Sequence, residues 1–159
     1  MNVKRILSLT TYLLLLCVPA MAQNGFTNRA EARNNIADSL KEGKWIEYLD
    51  ENEEITTDTT IYYRLTEYKH DVPNGMVREY YHSGKIRNET PYTDGHIDGL
   101  VKSYFENGNL SLMVPYVYGK KEGIERMYYE SGKLMSETKY DSGLPEYSKK
   151  YNEDGTEKK

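Results

Sequence analysis

The chain has 159 residues, enough for one ordinary domain, with 21 basic and 25 acidic side chains and a formal charge of −4. The two signs are interspersed, so the clustered Lys and Arg of a nucleic-acid footprint or a polybasic membrane patch are missing from it. Tyrosine is over-used, 16 residues against 2 Phe and 1 Trp, and this favours strands, where a flat amphipathic ring covers a pleated surface while its hydroxyl stays wet.

Residues 1–22 differ from the rest. Lys4 and Arg5 give a positive start, Ile6 to Val18 is mostly apolar, and Ala20-Met21-Ala22 supplies small residues at a cleavage site. This is the pattern of a secretory signal cut before Gln23; the apolar run is shorter than the roughly 20 residues of a membrane-spanning helix. The only cysteine, Cys17, lies inside it. A cleaved chain therefore has no disulfide, thiolate metal site or cysteine nucleophile. The expectation is an exported protein, periplasmic or extracellular. The alternative is an outer-membrane lipoprotein carrying lipid on Cys17, against which Leu16 stands as a large residue where a small one is wanted. Residues 23–37, polar with scattered alanines, are expected to be a linker.

Internal repetition begins next and fills residues 38–155. Gly75, Gly99 and Gly123 recur every 24 residues, as do Gly84, Gly108 and Gly132, then Tyr92, Tyr116 and Tyr140, then Gly95, Gly119 and Gly143. Between them Arg78, Lys102 and Arg126 are basic, Tyr80, Tyr104 and Tyr128 identical, and Tyr81, Phe105 and Tyr129 aromatic. In each unit two β-favouring runs flank a turn cluster such as Glu106-Asn107-Gly108, where glycine supplies the positive φ of a short hairpin loop. Asp94-Gly95 and its equivalents mark the return turn. The predicted units are 75–98, 99–122 and 123–146. A degenerate unit, 43–74, precedes them, its insertion between Asp50 and Thr60 lengthening the hairpin tip; a partial closing strand, 147–155, and a tail, 156–159, follow. The adjacent aromatic columns must point to opposite faces. Which face is better buried stays open, because three- and four-residue loops pair the columns differently.

Gly43-Lys44-Trp45-Ile46-Glu47-Tyr48 and Gly123-Ile124-Glu125-Arg126-Met127-Tyr128-Tyr129-Glu130-Ser131-Gly132-Lys133-Leu134 resemble MORN repeats, most closely the bacterial variant of YwqK-type proteins. The resemblance implies an all-β fold, an elongated single-layer antiparallel β-meander of tandem hairpins, with binding or scaffolding in place of chemistry. Some YwqK-type proteins carry an antitoxin label, so an antitoxin-like neutralising partner is one alternative reading; a cytoplasmic neutraliser, however, has no use for export.

Asp94-Gly95-His96-Ile97-Asp98 alternates three possible metal ligands along an extended segment, but its repeat equivalents are Tyr118, Lys120, Glu122 and Ser142, Leu144, Glu146, so an ordinary polar connector is expected. His70 and His82 are isolated. No Gly-x-Ser-x-Gly elbow or phosphate-cradling glycine loop occurs. Asn88-Glu89-Thr90 and Asn109-Leu110-Ser111 match the glycosylation acceptor pattern, as strands rich in small polar residues do by coincidence. No catalytic, cofactor or metal site is expected. The functional expectation is an exported, non-catalytic module that offers one sheet face to a protein or glycan partner, a membrane-associated or lipidated repeat protein being the alternative.

Overall fold

The computed structural model describes residues 27–59 and 61–158; the segment expected to be a secretory signal, with Cys17, lies outside them. After a short 3-10 turn at Arg29–Glu31 come β1 (Asn35–Ala37), β2 (Leu40–Leu49), β3 (Ile55–Thr56), β4 (Tyr62–Lys69), β5 (Val72–Pro73), β6 (Gly75–Tyr80) and β7 (Ile86–Thr93). The chain continues with β8 (His96–Ile97), β9 (Gly99–Tyr104), β10 (Leu110–Val117), β11 (Lys120–Lys121), β12 (Gly123–Tyr128), β13 (Leu134–Asp141) and β14 (Leu144–Lys150). They form one open antiparallel meander of 14 strands in the order β1-β2-β4-β6-β7-β9-β10-β12-β13-β14, with β3, β5, β8 and β11 paired to β2, β4, β7 and β10. The expected hairpin-on-hairpin architecture is the one observed.

Three glycine columns have three different jobs. At the tips Tyr81 N–H donates to Lys85 O at 2.9 Å and Gly84 N–H to Tyr81 O at 2.9 Å, with Gly84 at φ 81°. The loop thus has three residues, and a bulge beside it shifts the β6–β7 register between Glu79 and Tyr80. At the return turns Asp94 (φ 48°) and Gly95 (φ 79°) are both left-handed, as a two-residue hairpin twisted with its strands requires. Gly75, Gly99 and Gly123, at φ 93°, 121° and 96°, sit where one hairpin shifts against the next. Tyr68 pairs with Pro73 ahead of Gly75, and Leu65 with Arg78 beyond it. These glycines lie opposite Tyr92, Tyr116 and Tyr140, so two columns of the sequence are one cross-strand pair. The same frame places Tyr147 where a fourth glycine would stand, and β14 slips by a single residue against β13.

Both edges of the sheet are blunted. Asn35, Ile36 and Ala37 pair with Glu42, Lys41 and Leu40; the N–H groups of Arg33 and Asn34 donate to Lys44 O at 2.9 and 3.2 Å. The Asn34 amide accepts from Ile46 N–H at 2.9 Å and donates to Ile46 O at 3.0 Å, and β3 takes Tyr48 and Leu49. The stretch expected to be a linker is, over its described part, the cover of an open strand edge. At the other end β14 carries Pro145, Lys149 and Lys150. The expected lone closing strand has a return: Tyr151 bridges to Glu157, and Lys158 N–H donates to Lys150 O at 2.7 Å. The insertion in the first hairpin makes its own tight tip, Asp50 to Glu54, with Glu53 at φ 66° where later tips use glycine.

Burial is deepest in the N-terminal half. Leu65 and Tyr80 form a small core with Ala32, Ile46, Tyr63 and Ile86 packed against them, and the rings of Tyr63 and Tyr80 stack at 4.7 Å.

Candidate interaction surface

Cross-strand pairing lines up side chains in rows that run the length of the sheet. One row, on what we term the first face, reads Glu47, Arg64, Glu79, Asn88, Ser103, Leu112, Met127, Ser136, Lys150. The adjacent row points to the second face and reads Ile46, Leu65, Arg78, Glu89, Lys102, Met113, Arg126, Glu137, Lys149. From β7 to β13 the two differ: the second row carries Glu89, Lys102, Arg126 and Glu137, while the first carries no charge.

The N-terminal half of the first face is a self-satisfied ionic network. Glu47, only 6% exposed, accepts from Lys41 Nζ at 2.6 Å and Arg64 Nε at 3.1 Å. Burial pushes its carboxyl up, but the Lys41 hydrogen bond and the Arg64 charge more than offset this and hold it below the usual carboxylate range. The Lys41 ammonium also lies over the rings of Trp45 and Tyr68 at 4.8 and 4.7 Å. Glu79 meets Arg64 at 3.6 Å and Arg87 at 3.3 Å, and Arg87 reaches on to Glu53 at 2.7 Å.

On the second face ion pairs recur along the array, Arg78 with Glu89 at 3.0 Å and Arg126 with Glu137 at 3.4 Å. Tyr104 donates to Glu89 Oε2 at 3.0 Å. Burial, then the charge of Glu89 and this hydrogen bond, push the Tyr104 phenol up to about 12.

From β9 onward the first face presents Val101, Ser103, Leu112, Val114, Tyr116, Met127, Ser136, Thr138 and Tyr140. The charges it retains up to β13 are those of Lys121 and Glu125, which pair with each other, with Lys121 lying over the Tyr140 ring at 4.7 Å. A shallow groove opens here, lined by Phe105, Leu112, Met127, Tyr129 and Met135 with Ser103 and Ser111, and bounded by Glu130 of the β12–β13 tip. Two repeats earlier the equivalent positions of Met127, Met135 and Ser136 are Glu79, Arg87 and Asn88. The groove is thus the place where the ionic network has been exchanged for apolar and small side chains on an unchanged backbone.

The residues singled out from sequence sit elsewhere. Asp98 Oδ1 accepts from Tyr118 N–H at 3.3 Å, as Glu42 accepts from His70 N–H at 2.8 Å and Glu122 from Ser142 N–H at 2.7 Å. That carboxylate column is a clamp on the next return turn. His96 tilts against the Tyr118 ring at 6.1 Å, Asp94 occupies its turn, and His82 lies in a tip loop. Among the described residues no group of three His, Cys, Asp or Glu side chains is placed to hold a metal ion. The amide nitrogens of Asn88 and Asn109 are engaged within the protein, on Glu79 and on Glu130 O. Tyr80 stacks on the second face whereas Tyr81 meets Tyr62 on the first, at 6.1 Å, so the two aromatic columns diverge as alternation demands. Sequence reasoning missed the groove because its columns, Glu79/Ser103/Met127 and Arg87/Ser111/Met135, are those that do not repeat.

Comparison of the whole chain with curated proteins gives no match. Residues 73–94, 97–118 and 121–142 each match the MORN repeat variant family, every segment running from a return strand to the first residue of the next return turn, so the chain carries three tandem repeats of the MORN variant.

Proposed function

We propose that this chain is an exported, non-catalytic interaction module that presents the uncharged C-terminal half of its first face to a protein partner. The observation that carries the reading is the row itself, ionic from Glu47 to Glu79 and uncharged from Asn88 to Ser136. Covering a charged face strips water from ions at a cost of several kcal/mol each unless every one finds a partner. A neutral face with Met, Leu, Phe and Tyr at its centre is covered without that penalty and has the side chains that interface cores favour. Tandem MORN-variant repeats support binding over chemistry. Export rests on the signal pattern of residues 1–22, and the mass of the protein from its host separates an N-terminus at Gln23 from a lipidated Cys17.

The test is a photo-reactive side chain placed in turn at Ser103 and Ser136 on the first face and at Lys102 and Lys139 on the second, in the protein exported by its host. Adducts to protein from the first pair alone are expected. Adducts only from the second pair sink the reading, as does a first face that cross-links to nothing.

A further inference from the structure

Resting on that reading, we infer that the partner of the uncharged half-face is a second copy of this chain, the two sheets packing face to face about a two-fold axis beside Met127. A sheet is stable when its apolar face is buried against another layer, and the described residues supply only one layer. Around a two-fold axis a patch meets itself, so it must carry no excess of one sign. The second face fails this condition: its C-terminal half-row sets Lys102, Arg126 and Lys149 against Glu137 alone. The first face comes much nearer to it, since Ser103, Leu112, Met127 and Ser136 carry no charge and Lys121 neutralises Glu125, which leaves Lys150 on the outermost strand, β14, as the single excess charge of the half-row.

Shape points the same way. Met127 is an apolar side chain 38% exposed, standing in a groove walled by Phe105 and Tyr129. A two-fold axis beside it puts each Met127 into the other copy's groove, and the unbranched thioether adapts to such a gap. The edges offer no rival route. Asn34, β1 and β3 close the β2 side, while Pro145, Lys149 and Lys150 blunt β14.

Area sets the strength. The five strands β9, β10, β12, β13 and β14, at about 4.8 Å spacing and about 20 Å length, give roughly 500 Å² per copy. The total, about 1,000 Å², only reaches the lower limit of specific interfaces, so the dimer is weak and concentration-dependent.

The experiment is sedimentation equilibrium of the purified exported chain across micromolar concentrations, comparing Met127→Glu with Leu100→Glu. Leu100 is 39% exposed and faces the other way, so the two variants differ in face and little else. Met127→Glu is expected to weaken the dimer about tenfold or more, as loss of one central anchor does, and Leu100→Glu to leave it intact. Ser136→Glu, a small polar site on the same face, repeats the test should Met127→Glu lose its fold. A chain monomeric at every concentration overturns the inference, as does a dimer that survives both first-face variants or falls equally to Leu100→Glu. If the chain is monomeric while first-face probes cross-link to a different protein, the second copy is wrong and the interaction surface stands. A monomer whose first face cross-links to nothing defeats both.

Discussion

Tyr81 donates its hydroxyl to the carbonyl of Tyr104 at 2.7 Å, tying the tip of one repeat to the backbone of the next. Tyr129 does the same to Tyr151 at 2.8 Å. Between them the column holds Phe105, which has no hydroxyl to give. Phe105→Tyr should therefore complete the series and raise stability by about 1 kcal/mol, the usual net worth of one such bond, whereas Tyr81→Phe and Tyr129→Phe should each lower it by a similar amount. Chemical denaturation checks this. A Phe105→Tyr variant less stable than the parent would mean that the groove beside residue 105 cannot seat the hydroxyl.

Return turns require two residues at positive φ, and Tyr118 meets this at φ 46° with an exposed ring in the position of Asp94 and Ser142. Left-handed backbone disfavours an aromatic and suits Asn. Tyr118→Asn is expected to stabilise the protein by about 0.5–1 kcal/mol. Gly108 gives the converse: at φ 93°, with no heavy atom within 4 Å of an added Cβ, Gly108→Val costs about 1–3 kcal/mol through the backbone alone. Thermal melting that ranks these two variants in the opposite order would refute the turn assignment.

Glu47 sets the acid limit. Its folded pKa lies below the unfolded value, so its contribution is complete above the ordinary carboxylate range and fades as pH falls through the folded pKa. Glu47→Gln should cost about 2 kcal/mol at neutral pH, as loss of hydrogen bonds to charged partners does, and should flatten the acid limb of stability against pH. An acid limb as steep as the parent's would place the responsible group elsewhere.

Tyr104 acts at the alkaline end with the opposite sign. Its phenol is raised to about 12, so the folded state holds that proton more tightly than the unfolded chain. Stability from this source is complete below about pH 10 and is lost between there and about 12. Burial also raises the phenols of Tyr63, Tyr68, Tyr80 and Tyr81, so ultraviolet titration should show a group of late phenols from which Tyr104→Phe removes the last; an unchanged high-pH end of the titration in the variant contradicts the assignment.

Columns that repeat were legible in the sequence, because each encodes a backbone need shared by every hairpin: Gly84 for the tip, Gly95 for the return, Gly75 for the shift between hairpins. The proposed interaction surface was not, because it lies in columns that change, Glu79 to Ser103 to Met127, against a basic neighbour column at Arg78, Lys102 and Arg126 that stays constant. Nothing in a single strand shows that Met127 sits beside Leu112; that follows from the pairing register. The edge cover by Asn34 to Ala37 was hidden for a related reason. Its residues are polar and unpatterned, and their value lies in the β2 backbone groups they satisfy.

Met113 and Met127 lie in adjacent rows pointing to opposite faces, which makes their methyl groups natural reporters of which face is used. Methyl NMR of the methionine-labelled protein, recorded as its own concentration is raised and as a cross-linked partner is added, tests the central claim most directly. The account predicts that the Met127 and Met135 signals shift while those of Met113 and Met76 stay where they are. Shifts confined to Met113, or equal on both faces, would contradict it.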